Sequence, residues 1–177
     1  MLVHNLLQSL KSHISFWAIS CIVTVLSTNI QPTIAAEKIT FTYGLVSQSI
    51  SLEELETFAA TGEMSPSIAF LLNFSKQKPQ VVRWLLTQEF PTNTVILSKL
   101  LNSLGGEYAL TQSSNVVHSS ASKGDIQALR GALIAASSDD QRVSLLEVWR
   151  NYPTKQVYVD GKALGKIRQK LPNIWVN

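Results

Sequence analysis

The sequence predicts an α+β domain that is mainly helical, with about seven short helices and a small sheet of N- and C-terminal strands. Three observations support this fold class. Residues 39–43 and 156–159 alternate apolar and polar side chains, as strands do, and residues 46–50 continue extended after Gly44. Between these segments, apolar residues recur at helical spacing. Ser, Asp, Pro and Gly stand where helices are expected to begin and end.

The first strands are predicted at residues 39–43, where large apolar residues alternate with threonine, and at 46–50. Gly44 separates the two segments, so we expect a hairpin. Residues 156–159 predict a late strand that returns to pair with this hairpin.

Two N-terminal capping patterns predict the first helices. Ser51 is followed three residues later by Glu54, which is a capping box, and Gly62 closes that helix. Ser65 then precedes Pro66, a capping hydroxyl followed by proline at the first helical position.

The middle of the chain continues in the same way. A helix is predicted from Pro79, and an apolar segment from Val95 to a break at Gly105 and Gly106. A further segment is expected at 107–118, followed by a polar loop at 119–123.

The last helices are also predicted from their ends. Asp125 is expected to cap the next helix, and Ser144 with Glu147 forms a second capping box. Pro153 stops that helix, and a last one follows Asp160.

The N-terminus has the layout of a secretory signal peptide. Lys11 precedes an apolar run at residues 14–26, and the small residues Ala35 and Ala36 stand where a peptidase would cut. The run is shorter than the roughly 20 residues of a membrane-spanning helix. We therefore expect residues 1–36 to be removed and the product to reach the periplasm, a thylakoid lumen or the medium. The alternatives are an uncleaved anchor and, less well matched, a lipoprotein modified at Cys21.

Residues 37–177 suit a single domain. This segment keeps all 12 acidic residues and loses only Lys11 of the 15 basic ones, so it is close to neutral. A nearly neutral domain argues against nucleic acid as the main partner. Cys21, the only cysteine, lies in the signal segment, so we expect no disulfide in the exported domain.

The sequence contains neither the G-x-S-x-G nucleophile motif nor a Gly-rich phosphate loop. His118 is the only histidine after residue 36, which disfavours a zinc site. His118 is followed by Ser119 and Ser120, with Asp125 nearby, but adjacent residues rarely form a catalytic triad. We interpret His118 as a solvated residue of a polar loop. The sequence thus predicts no catalytic, cofactor-binding or metal-binding residue.

Three further groups have a structural interpretation and a functional alternative. The acidic group on the first helix suits the helix dipole, and the lysines of the last helix suit a solvated face, although they could touch an anionic lipid or an acidic partner. The tryptophans are expected in the core, although aromatic grooves also bind apolar ligands. These groups are Glu53, Glu54 and Glu56; Lys162, Lys166 and Lys170; and Trp84, Trp149 and Trp175.

Five segments of the sequence resemble the cyanobacterial domain of unknown function 1400. They are residues 36–44, 51–59, 61–63, 128–136 and 152–154. The resemblance implies an exported region that precedes an α/β-hydrolase domain in longer relatives, in a family labelled α/β hydrolase of unknown function. Because the nucleophile-bearing part has no counterpart in this sequence, no catalytic residue carries over. We therefore expect a stand-alone copy of the domain.

Three functions remain open at this point. The first is a non-catalytic exported module that binds a partner protein or an apolar ligand. The second is a membrane-surface protein that uses the lysines of the last helix and Trp175. The third is a small or truncated esterase of the α/β-hydrolase family that uses His118 and a nearby serine.

Overall fold

The computed structural model describes the backbone of residues 35–170 and the side chains of residues 35–167. The predictions made for residues 1–34, for Trp175 and for the side chain of Lys170 lie outside this range. The described residues form six strands: β1 (Lys38–Tyr43), β2 (Val46–Ser51), β3 (Phe90–Pro91), β4 (Val117–His118), β5 (Arg142–Val143) and β6 (Gln156–Asp160). They also form eight helices: α1 (Leu52–Thr61), α2 (Pro66–Ser75), α3 (Pro79–Thr87), α4 (Thr94–Leu101), α5 (Leu104–Ser114), α6 (Asp125–Ala136), α7 (Leu145–Arg150) and α8 (Gly161–Lys170). The predicted class, α+β and mainly helical, is confirmed.

A four-stranded mixed sheet of order β2-β1-β6-β4 joins the two ends of this range. β1 and β2 form the predicted hairpin, with Lys38 opposite Ser51 and Tyr43 opposite Val46. The late strand β6 lies parallel to β1, so its predicted return to the hairpin is confirmed. Gly44 has a φ of 65° at the hairpin turn, a conformation that glycine adopts at little cost.

The core lies between this sheet and the helices. Ile39, Ile50 and Val157 come from adjacent strands and are buried, as are Phe58 of α1 and Tyr152, which follows α7. Burial of these large apolar side chains is the main stabilising contribution in a domain of this size.

The two predicted capping boxes and the predicted end of α1 are present. Ser51 Oγ accepts from the Glu54 N–H at 3.0 Å, and the Ser51 N–H donates to Glu54 Oε2 at 2.8 Å. Ser144 and Glu147 form the same reciprocal pair. Gly62, with a φ of 82°, ends α1 as expected. Each cap satisfies backbone groups that a helix end leaves without partners.

The first capping box predicts a specific acid dependence of stability. Hydrogen bonds from the Ser65 side chain and then from the Ser51 backbone lower the pKa of Glu54 below its ordinary value of 4.5. A carboxyl group with a lowered folded-state pKa stabilises the fold above its unfolded pKa, and this contribution is lost as pH falls through the folded pKa. Glu54→Gln should therefore show a shallower loss of unfolding free energy below about pH 4.5 than the parent chain.

Urea unfolding at a series of pH values measures this difference. Glu53→Gln is the matched control, because it removes a charge from the same helical turn but leaves the capping box intact. Identical pH profiles for the two variants would contradict the assignment.

Three local predictions were wrong. The break between α4 and α5 lies at Asn102 and Ser103, and Gly105 and Gly106 belong to the first turn of α5. Ser103 caps that turn by accepting from the Gly106 N–H, which explains why the helix begins before the glycines.

The predicted segment at 107–118 and the predicted cap at Asp125 also need correction. α5 ends at Ser114, and Val117 and His118 form β4, because their backbone pairs with Val159 and Tyr158 of β6. The N-cap of α6 is Gly124, and Asp125 is its first helical residue. The Asp125 side chain points into the protein instead of capping the helix.

Candidate functional site

The structure places His118 in strand β4 and not in a polar loop. Its imidazole is half-buried and stacks on the Tyr158 ring of β6, with ring centroids 5.6 Å apart and planes 9° apart. The prediction of a solvated loop histidine was therefore wrong. Pairing of β4 with β6 brings the two rings together, and a two-residue edge strand leaves almost no periodic signal in the sequence.

The arrangement around His118 differs from that of a Ser-His-Asp triad. His118 Nδ1 lies 2.9 Å from the Ser119 carbonyl oxygen. Because a carbonyl only accepts hydrogen bonds, Nδ1 must carry a proton there. In a triad, the proton on Nδ1 is donated to the carboxylate, which stabilises the charged ring. Here a neutral backbone carbonyl takes that place.

The carboxylate of Asp125 binds other groups. Asp125 is buried, and its Oδ1 accepts from the Ser119 backbone N–H at 2.8 Å and from the Tyr152 hydroxyl at 3.3 Å. Burial, followed by the charge of Asp125, raises the pKa of Tyr152 above its ordinary value of 10. These contacts join the loop after β4 to the segment after α7, which is a structural role.

A cavity of about 320 Å³ lies next to His118 and Asp125. Ligand pockets of this size are usually lined by apolar and aromatic side chains, with a few polar groups. This cavity has the reverse composition, because Ile126 is the only aliphatic residue among its walls. The other lining residues are Ser114, Asn115, His118, Ser122, Gly124, Asp125 and Gln127.

The acidic group of α1 has structural partners. Glu54 closes the capping box, and Glu56 Oε1 forms an ion pair with Arg150 Nη2 of α7 at 2.7 Å. These contacts support the structural interpretation of Glu54 and Glu56.

Across residues 35–170, no three His, Cys, Asp or Glu side chains are grouped in a way that could hold a metal ion.

The outer face of α4 and the start of α5 carry a large exposed apolar surface. Five large apolar side chains there are 59–93% exposed, and the two helices pack against each other. Lys99 is the only charged residue between positions 94 and 106. A helix on a protein surface ordinarily turns polar side chains outward, so this face is unusual. We call it the α4–α5 apolar surface: Val95, Ile96, Leu100, Leu104 and Tyr108.

The tryptophans were predicted to lie in the core, and the structure divides them. Trp149 is buried, and its ring packs against that of Phe41 in a T-shaped pair. Trp84 is 54% exposed on α3, beside the exposed Val81 and Leu85, so its prediction was wrong. These three residues share one face of α3, and the opposite face buries Leu86. Helical spacing identifies an apolar face but does not show whether another element covers it.

A second exposed apolar group lies at the tip of the β1–β2 hairpin. Leu45 is fully exposed in the turn, and Tyr43 contacts Phe74 of α2 with ring centroids 6.0 Å apart. Phe74 in turn stacks on Phe70 at 6.1 Å. We call Tyr43, Leu45, Phe70 and Phe74 the hairpin-tip surface. The ammonium group of Lys162, on α8, lies 6.0 Å from the Tyr43 ring centroid.

Within the described part of the chain, no helix is long and apolar enough to cross a membrane.

The sequence did not reveal the connecting role of Tyr152 or the exposure of the α4–α5 apolar surface. The near absence of charge between positions 94 and 106 was a usable signal for that surface, because an outward helix face normally carries charged side chains.

Comparison with known proteins gives one match. The sequence profile of a family described as "Alpha/beta hydrolase of unknown function (DUF1400)" matches residues 35–160. No curated protein and no solved structure matches the chain.

Proposed function

Because the chain belongs to the DUF1400 family of α/β hydrolases of unknown function, we propose that it is an exported, non-catalytic module that binds a partner protein through the α4–α5 apolar surface. The family predicted from the residues is thereby confirmed, whereas a cyanobacterial origin stays a prediction. Export rests on the signal-like pattern of residues 1–36.

One observation carries the binding role, namely the exposure of five large apolar side chains on two packed helices. Exposing such a surface to water is unfavourable, and contiguous apolar surfaces of this kind typically mark interaction sites. An outward helix face suits a protein partner better than a small apolar ligand, which requires a concave pocket. The cavity beside His118 has polar walls and is poorly suited to such a ligand.

The partner expected from the family is an α/β-hydrolase domain. In the longer relatives implied by the resemblance, a region like this one precedes such a domain. We propose that the α4–α5 apolar surface contacts it, and that the described residues supply no nucleophile. The hydrogen bond from His118 Nδ1 to a backbone carbonyl supports the second part, because a triad requires a carboxylate there.

The proposed binding through the α4–α5 apolar surface is tested with the hydrolase domain of a longer family member. Isothermal titration calorimetry should detect a complex with the parent chain. The double variant Ile96→Ser/Leu100→Ser should weaken it by at least tenfold, since truncating a buried apolar anchor commonly costs more than about 1 kcal/mol. Val81→Ser/Leu85→Ser on α3 is the matched control and should bind like the parent. Equal losses in both variants, or no complex with the parent, would refute the proposal.

The proposal that the chain supplies no nucleophile is tested with a fluorophosphonate probe and intact-mass spectrometry. We expect an unchanged mass, because the sequence has no nucleophile motif. A stoichiometric adduct would favour the esterase alternative. In that case, His118→Ala should abolish the adduct if the histidine activates the serine.

A further inference from the structure

The hairpin-tip surface is apolar, projecting and held rigidly. Leu45 is fully exposed at the turn, and the rings of Tyr43, Phe74 and Phe70 follow one another at about 6 Å. Six residue pairs hold β1 to β2, and β6 holds the other side of β1. The tip is therefore presented in a fixed shape, which lowers the entropy cost of binding.

The charges around the hairpin-tip surface are distributed unevenly. Residues 39–51 and 64–75, which contain the surface, include no charged side chain. Lys162 lies over the Tyr43 ring, Lys166 follows one helical turn later and is exposed, and Lys76 is exposed just after α2. Asp160, the last residue of β6, pairs with Thr42 beside Tyr43, and its Oδ1 accepts from the Lys162 and Ala163 backbone N–H groups. An apolar tip flanked by lysines is the result.

We propose that the hairpin-tip surface inserts into the interfacial region of an anionic lipid bilayer. This goes beyond the proposed function, because it involves a different surface from the α4–α5 apolar surface. Leu45 and the Phe rings would enter the boundary between headgroups and acyl chains, where Tyr is also favoured because its ring is apolar and its hydroxyl polar. Lys162 and Lys166 would lie at the level of the headgroup phosphates.

The shape and charge of the tip favour a bilayer over a protein partner. Leu45 projects fully exposed from the turn, and a protein partner would need a matching pocket to contact it. A bilayer adapts to a projecting apolar tip, and anionic headgroups complement the flanking lysines. The surface therefore has the chemistry of a peripheral membrane contact.

Insertion is tested with a fluorophore placed at the tip of the full chain. In a Cys21→Ser background, Leu45→Cys is labelled with an environment-sensitive dye. Vesicles of phosphatidylcholine with 30% phosphatidylglycerol should cause a blue shift and a rise in intensity, and pure phosphatidylcholine vesicles should cause much less. The matched control is Leu104→Cys, an equally exposed leucine of the α4–α5 apolar surface, which should change little.

The contribution of Lys162 and Lys166 to membrane binding is tested by vesicle sedimentation. Lys162→Gln and Lys166→Gln should each lower the partition coefficient on anionic vesicles about fivefold. Lys123 lies in the loop after β4, at the other edge of the sheet, so Lys123→Gln should leave the partition coefficient unchanged. Circular dichroism confirms that each variant is folded.

Several outcomes would overturn the inference. The absence of a shift at Leu45→Cys with anionic vesicles would remove it, and would leave a protein as the occupant of the tip. A shift at Leu104→Cys alone would place lipid on the α4–α5 apolar surface instead. An equal shift with neutral vesicles, or equal losses in Lys123→Gln and Lys162→Gln, would refute the role of the lysines. Because these readouts contain no hydrolase domain, they are independent of the test of the proposed function.

Discussion

Replacing Gly106 with alanine is expected to lower the free energy of unfolding by about 3 kcal/mol. Gly106 is buried where the first turn of α5 meets the end of α4. A Cβ there would lie 2.1 Å from the Leu100 carbonyl oxygen and 2.7 Å from Leu101 Cα. These are backbone atoms, so no side-chain rotation relieves the clash, and one helix must move away from the other.

The Leu100 carbonyl is poorly placed to move. It accepts hydrogen bonds from the Ser103 N–H at 3.0 Å and from the Ser103 hydroxyl at 2.7 Å. Ser103 in turn caps α5. Displacing this carbonyl therefore weakens the connection between the helices, which offsets the roughly 1 kcal/mol that Gly→Ala ordinarily contributes within a helix.

Urea unfolding, followed by tryptophan fluorescence, measures the change. Gly105→Ala and Gly131→Ala are the matched controls. A Cβ at Gly105 meets nothing closer than 3.9 Å, and one at Gly131 meets nothing within 4 Å. Both controls should be neutral or stabilising by up to about 1 kcal/mol. A Gly106→Ala variant as stable as its controls would show that α4 and α5 are farther apart than described.

Asp125→Ala should also destabilise the fold by about 3 kcal/mol, for a different reason. The substitution leaves the Ser119 backbone N–H and the Tyr152 hydroxyl without their acceptor in a buried site. A buried donor without a partner costs about 1–3 kcal/mol. Asp125→Asn keeps one acceptor oxygen and should cost much less. Urea unfolding again provides the measurement.

A double-mutant cycle with Tyr152→Phe separates the two donors. Tyr152→Phe alone removes one hydrogen bond and should cost about 1 kcal/mol. Combined with Asp125→Ala, it should cost less than the sum of the two single variants, because no hydroxyl remains unsatisfied. Strict additivity would contradict the hydrogen bond between these side chains.

The correct predictions depend on interactions between residues close in sequence. The capping boxes at Ser51 and Ser144 each involve residues three positions apart, and the hairpin involves adjacent segments around Gly44. Such patterns are formed by the local backbone and its nearest side chains. The late strand was predicted from its alternation, but its parallel pairing with β1 was not.

The missed features depend on contacts between distant parts of the chain. Strand β4 exists because β6 lies beside it, and Asp125 is buried because Tyr152 comes from 27 residues later. The exposure of Trp84 has the same origin, because an apolar helix face is buried only where another element covers it. The sequence showed the apolar faces but not which of them would be covered.

The sequence by itself determined the fold class, the two capping boxes, the hairpin and the family. It also showed that no nucleophile or phosphate motif is present. Only the tertiary structure decided that His118 binds a carbonyl, that Gly106 lies against the α4 backbone, and that the α4–α5 and hairpin-tip surfaces face outward. The physical reason is that capping and turn energies depend on neighbouring residues, whereas burial depends on which distant elements pack together.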